Sequence, residues 1–115
     1  VSPSRSDPAW RALDGLEKLL DHRVRLAICV LLSRNGSISF QRLKQLLDET
    51  DGSLGAHLRK LEDAGFIRAE KTYRDRRPIT WYSMAPAGRK RLRSHLGALE
   101  RVIRGVGAPD GDGGR

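Results

Sequence analysis

Between residues 50 and 80 the chain reads TDGSLGAHLRKLEDAGFIRAEKTYRDRRPIT. Leu54, Leu58 and Leu61 recur at the spacing of one helical face. The opposite face carries Ser53, Gly55, Ala56, His57, Arg59 and Lys60. These side chains are small, hydrogen-bonding or cationic, which suits close contact with DNA. Neutral hydroxyl and imidazole groups can bond base edges, and Lys60 can reach a base or a phosphate. Arg59 is placed to flank a groove, and Ala56 and Gly55 permit close backbone approach. Beyond this helix, Lys71, Arg74, Arg76 and Arg77 crowd a turn between two strand-like runs. Arginine there suits phosphates or a narrow minor groove, where the potential is most negative. Asp75 is expected to make the turn and point away from phosphate. A solvated helix and a charged hairpin that guards an edge strand would explain either feature alone. Their adjacency favours DNA.

Other chemistry finds no footing in the sequence. Cys29 is the single cysteine and sits in an apolar run, as a small core hydrophobe. His22, His57 and His95 are scattered, and no cluster has metal-ligand spacing. There is no nucleophile–base pair, phosphate-binding glycine loop or paired-carboxylate motif. No catalytic residue, metal or cofactor is therefore expected, and the chain reads as a non-enzyme. Trp81 and Tyr82 read as strand residues packing on the domain. Asp14, Glu17 and Asp21 read as a solvated face.

The elements that must position these residues follow from periodicity and punctuation. Residues 1–7 are Ser/Pro-rich and read as a flexible segment. Asp7-Pro8 is a helix-start signal, opening a first helix over 8–20 with Trp10, Leu13, Leu16 and Leu20 on one stripe. A second helix over 22–34 is apolar all round from Leu26 to Leu32, which marks a central buried helix, and Asn35-Gly36 ends it. Ser37, Ile38 and Ser39 can form a very short strand. Ser39 then caps a third helix over 40–47, with Phe40, Leu43, Leu46 and Leu47 facing inward. Thr50 caps the fourth helix, Ser53 takes its N3 position, and Gly65 stops it. Strands over 66–71 and 79–84 flank the basic tip. Pro86 starts a fifth helix that runs to 104, where Leu92, Leu96, Leu99, Ile103 and Val106 repeat at heptad-type spacing. Residues 105–115 read as a flexible Gly-rich tail. The whole is a mostly helical α+β fold: helix, helix, strand, helix, helix, strand, wing, strand, helix, a winged helix-turn-helix.

The length of 115 residues allows one domain. Lys and Arg number 22 against 14 Asp and Glu, a net charge of +8, which favours a polyanionic partner. No apolar run approaches a membrane span, and the start VSPSRSDP has no apolar signal-peptide core. With one cysteine, a reducing compartment and a cytoplasmic location are expected.

The pattern resembles the winged-helix transcriptional regulators of the MarR/ArsR kind, in the compact group described as winged helix DNA-binding domains. The likeness covers roughly residues 9–104. It is carried by TDGSLGAHLRKLEDAGFI, RRPITWYSMAPAGR and HRVRLAICVLLSRNGSISFQRLKQLL. Two departures stand out: Gly55 and Ala56 where such proteins often have polar side chains, and Ala85 where a capping Ser or Thr often precedes the proline. The resemblance implies a regulator of transcription, most simply a repressor acting by promoter occupancy. Its partners would be double-stranded DNA and a second copy of itself. Relatives often sense small molecules at the dimer interface, but no effector is legible here. The DNA-binding residues expected are Ser53, Ala56, His57, Arg59, Lys60, Arg74, Arg76 and Arg77. The dimer interface expected is Trp10, Leu13, Leu16 and Leu20 with Leu92, Leu96, Leu99 and Ile103, since the terminal helices carry more apolar surface than a small core can cover. The alternative is a winged helix used as a protein-interaction module without specific DNA binding.

Overall fold

A computed structural model of the chain describes residue 11 and residues 13–107. The described residues divide into two compact units, one within 19–91 and the other within 11–18 and 92–107. A short 3-10 turn, Lys18–Asp21, precedes α1 (Arg23–Asn35). His22 caps α1, its Nδ1 accepting from the Val24 N–H at 3.1 Å. Gly36 ends the helix with φ of +82°, a conformation that favours glycine. α1 packs on the sheet and on the fourth expected helix. Within it Ile28, Cys29 and Leu32 are buried, while Leu26, Ala27, Val30 and Leu31 are half-buried. It is central but not enclosed on every side, as the continuous apolar run had suggested.

Strand β1 (Ser37–Ser39) leads directly into α2 (Phe40–Leu47), where Ser39 Oγ accepts from the Arg42 N–H at 3.2 Å. Leu43 is fully buried, and Phe40 and Leu47 are half-buried. Leu46, expected to face inward, is 44% exposed. Residues 48–50 then turn the chain, with Asp48 left-handed at φ +52°, into α3 (Asp51–Asp63). Lys44 on α2 pairs with Asp51 at 2.7 Å, tying the two helices across this turn.

β2 (Ile67–Arg74) and β3 (Arg77–Met84) form an antiparallel hairpin, and β1 joins β3 to give the order β1-β3-β2. Ile38, Ile67 and Met84 supply the sheet's buried residues. The strands reach further than expected, pairing continuously from Ile67 opposite Met84 to Arg74 opposite Arg77. Only Asp75 and Arg76 remain as the turn, at φ +51° and +66°. Two consecutive positive φ values are the signature of a type I′ hairpin turn, whose twist matches that of the strands.

α4 (Pro86–Gly107) starts at its proline and continues past the expected end at 104. The rest of the expected Gly-rich tail lies outside the described residues. Near its start, Gly88 lies against the Phe66 backbone, where any Cβ would overlap the Phe66 carbonyl oxygen. That same oxygen accepts from the Ala85 N–H at 2.9 Å, so the start of α4 is fixed on backbone alone.

The first expected helix does not run unbroken to Leu20. Its residues 8–10 and 12 lie outside the described residues. Beyond them, Asp14 and Leu16 donate to Arg11 and Leu13 carbonyls in three-residue turns, and the chain bends at Leu16. Asp14-Gly15 is the local cause: glycine costs about 1 kcal/mol more than alanine in a helix interior, and aspartate favours turns. Leu13, Leu16 and Leu20 therefore do not share one helical stripe. On α4 the buried stripe is Leu92, His95 and Ala98. His95 Nδ1 accepts from the Glu17 N–H at 2.9 Å, so this histidine is both buried and bonded.

Candidate nucleic-acid interface

α3 is delimited by its own sequence. Thr50 Oγ1 accepts from the Ser53 N–H at 3.2 Å at one end. At the other, Gly65 N–H donates to the Glu62 carbonyl at 3.0 Å and Phe66 N–H to the Leu61 carbonyl at 2.9 Å. This reciprocal pair is the Schellman motif, with Gly65 left-handed at φ +81°. Arg91 adds a guanidinium at this end. It donates to the Ala64 carbonyl at 2.7 Å and lies 4.0 Å over the Phe66 ring, where a cation favours the negative helix terminus.

Leu54, Leu58 and Leu61 are buried, which fixes how α3 is rotated. Ser53, Ala56, Arg59 and Lys60 are exposed as a consequence, and His57 is half-buried. The expected helix face is thus presented together. Two of its polar groups are engaged within the chain. Ser53 Oγ donates to the Glu49 carboxylate, so the hydroxyl keeps its lone pairs for a partner. His57 Nδ1 lies 3.3 Å from the Arg25 guanidinium, which can only donate, and its ring contacts that of His22 at 4.3 Å between centroids. Arg25 is itself held by the Leu19 carbonyl at 2.6 Å. Desolvation first, then the charges of His22, Arg25 and Lys60, push the His57 pKa below its ordinary value, with Glu49 acting the other way.

Gly52 and Gly55 add a negative observation. A Cβ at either would meet nothing within 4 Å. No neighbour among the described residues requires a glycine there.

On the hairpin, Arg74, Asp75, Arg76 and Arg77 are all exposed. Arg74 and Arg77 stand directly opposite each other, a like-charge pair that destabilises a hairpin unless an anion joins it. Among the described residues no ion pair compensates them. Tyr73, 70% exposed and opposite Pro78, gives the wing an aromatic edge that the sequence reading passed over. No alternation marks it, because every residue from Arg68 to Arg74 is exposed. His22, Arg25 and Glu49 were also missed; Glu49 is only four residues from Ser53, but no local signal marks His22 and Arg25, since Arg25 and His57 are 32 residues apart.

The arrangement is a capped helix with a small, polar and cationic outer face, packed against a hairpin with an arginine tip. The family model described as "Winged helix DNA-binding domain" matches residues 24–103. The chain belongs to this family. It is 33% identical over 89 residues to an uncharacterized protein of Methanocaldococcus jannaschii, covering 77% of this chain and 97% of that one. It is also similar to the structure of a transcriptional regulator homologue from Pyrococcus horikoshii OT3, with 30% identity, TM-score 0.77, and coverage of 84% and 98%. The fold alone is shared with Bacillus subtilis PadR, solved in complex with operator DNA, at 24% identity and TM-score 0.58 over 65% of this chain and 48% of that one. The winged-helix class read from sequence therefore stands, as does its kinship with transcriptional regulators.

Those of the expected dimer residues that the structure describes divide into three groups. Leu20 and Leu92 are 2% and 3% exposed, already buried in the single chain and so withdrawn from any external face. Leu16 and Leu99 are half-buried. Leu13, Leu96 and Ile103 are 40%, 42% and 67% exposed. Trp10 lies outside the described residues. Cys29 is buried, and burial pushes its thiol pKa up to about 12, which leaves it inert as a nucleophile.

Proposed function

We propose that the chain is a sequence-specific transcriptional repressor that binds promoter DNA as a homodimer in the cytoplasm. α3 enters the major groove, with Ser53, His57 and Lys60 at base edges and Arg59 at the flank. Ala56 and the two glycines of α3 allow its backbone to come close. Arg74, Arg76 and Arg77 brace phosphates beside the groove. Repression is steric, by occupation of the promoter.

The observation that carries this reading is the wing. Three exposed arginines stand at one hairpin end with no anionic partner among the described residues. Such an arrangement is unfavourable by itself and favourable against a polyanion. The exposed leucine and isoleucine on α4 support self-association. The kinship with a transcriptional regulator homologue supports the class of activity.

The test is DNA binding measured across salt, for the native chain and for Arg76→Ala/Arg77→Ala. If each arginine meets a phosphate, the slope of log K against log salt should flatten by about 0.9 per lost contact. Specific and random DNA should lose affinity alike, and thermal stability should hardly change. An unaltered slope in an intact protein would remove the wing from the interface and favour a protein-interaction module.

A further inference from the structure

Arg25 stands in the first turn of α1, which carries no acidic residue. A cation there opposes the helix dipole, so local helix stability does not account for it. Its Nε donates to the Leu19 carbonyl at 2.6 Å, and Nη1 of the same guanidinium meets His57 Nδ1 at 3.3 Å. No carboxylate pairs with Arg25 among the described residues. The guanidinium is planar and always charged, so once the backbone fixes one edge, the direction of its other N–H groups is set.

His57 receives that direction. Burial of Leu54, Leu58 and Leu61 fixes the rotation of α3 but not of the imidazole, whose second torsion is broad and roughly two-fold. The helix by itself is compatible with either flip of the ring and with either neutral tautomer. The Arg25 donor removes both freedoms. It needs an acceptor, so it holds Nδ1 unprotonated and turned toward α1. The proton then sits on Nε2, which makes no hydrogen bond among the described residues. His22 steadies the ring from another side. Its own Nδ1 is taken by the Val24 N–H at 3.1 Å, and its ring lies 4.3 Å from that of His57, tilted by 48°.

We infer that Arg25 is a positioning residue for base readout, holding His57 in the one orientation and tautomer that offers Nε2–H to the major groove. This role rests on α3 entering that groove, as proposed above. An Nε2–H donor suits the acceptors N7 and O6 of guanine, N7 of adenine and O4 of thymine. The opposite tautomer would accept from the amino group of cytosine or adenine instead. Arg25 thus sets a base preference from a helix that carries none of the readout residues.

The test has two arms, the first without DNA. In the full, isotope-labelled chain at about pH 7.5, where neutral imidazole prevails, two-bond proton–nitrogen spectra should show the His57 ring as Nε2–H alone. Arg25→Met keeps the length of the side chain and removes its donors. It should bring in the Nδ1–H form, while unchanged amide resonances elsewhere show the variant folded. An Nδ1–H ring in the native chain overturns the proposal, as does an unaltered tautomer in folded Arg25→Met. The probes of the second arm are the best duplex that the native chain selects from random DNA and the single-base variants of that duplex. His57→Ala should lose preference at one base pair, the one that the ring reads; if it loses none, the role falls. Arg25→Met should lower the preference at that pair by roughly two- to tenfold, the contribution of one hydrogen bond. In a His57→Ala background it should lower it no further. Equal weakening on every duplex would place Arg25 on a phosphate and overturn the proposal, as would an effect that persists without His57. A native chain that selects no sequence would overturn the DNA-binding reading and the readout role together, while the first arm would still report whether Arg25 sets the tautomer.

Discussion

His57 shows how much of a side chain's chemistry is set by neighbours distant in sequence. With Nδ1 facing a guanidinium, the neutral ring carries its proton on Nε2 and offers a donor there. A donor suits the acceptor atoms that guanine, adenine and thymine present in the major groove. Its pKa is held below the ordinary 6.5, mainly by desolvation and then by the charges of His22, Arg25 and Lys60. The unfolded chain therefore takes up the proton more readily than the folded one. His57's contribution to stability should be complete above pH 6.5 and lost as pH falls through that value and the lower folded one. Thermal melts of the native chain and His57→Gln, run from about pH 7.5 to about pH 5.5, should diverge only on the acid side, with the native chain losing more. Parallel curves would show that the ring's protonation is unlinked to folding. Gly55 makes the complementary case. Open space surrounds it, so Gly55→Ala should stabilise α3 by about 1 kcal/mol. If the groove wall comes close, the same change should weaken DNA binding. A variant that melts later and binds DNA as well as the native chain would leave the glycine without a role in contact.

At the scale of elements, the sharpest constraint is the seat of α4 on Phe66. A methyl at Gly88 has nowhere to go but into backbone. Overpacking against atoms that cannot rotate away typically costs 1–3 kcal/mol. Gly88→Ala should therefore destabilise the domain by roughly 1–3 kcal/mol in denaturant unfolding, and a neutral result would mean that α4 shifts along its axis. Elements whose limits depend on local chemistry were legible in the sequence. Ser39, Thr50 and Gly65 act within three to five residues of themselves, and each cap was readable as a residue type in place. Features that depend on distant partners were not. Periodicity alone put Leu46 inside and set the α4 stripe on Leu92, Leu96, Leu99, Ile103 and Val106. Of that stripe only Leu92 is buried, on a face that runs on through His95 and Ala98, and the His95 bond joins residues 78 apart. In the candidate interface the composition of the helix face and the wing charges were legible. The Arg25–His57–His22 contact was not, because nothing in residues 50–80 announces α1. The length of the strands also escaped, because an exposed hairpin has no buried alternation to mark its ends.

For the whole molecule the open matter is assembly. Leu96, Ile103 and Val106 lie on α4 at 42%, 67% and 79% exposure, a stripe of apolar surface on one helix. Such a stripe is stable in water when a second surface covers it. Sedimentation should find a dimer, and Leu96→Asp should convert it to a monomer that keeps its helical signal. A native chain that stays monomeric at high micromolar concentration would sink this expectation. The wing turn has a consequence for the molecule as well. Arg76 occupies a left-handed position at φ +66°, where glycine is at ease and a residue with a Cβ is less stable by about 1 kcal/mol. Replacing it with glycine would relax the turn and remove a cation at once. On the reading proposed here, heat tolerance and hold on a polyanion pull this one position in opposite directions. A variant library screened only for survival at high temperature would therefore drift toward proteins that fold better and regulate worse.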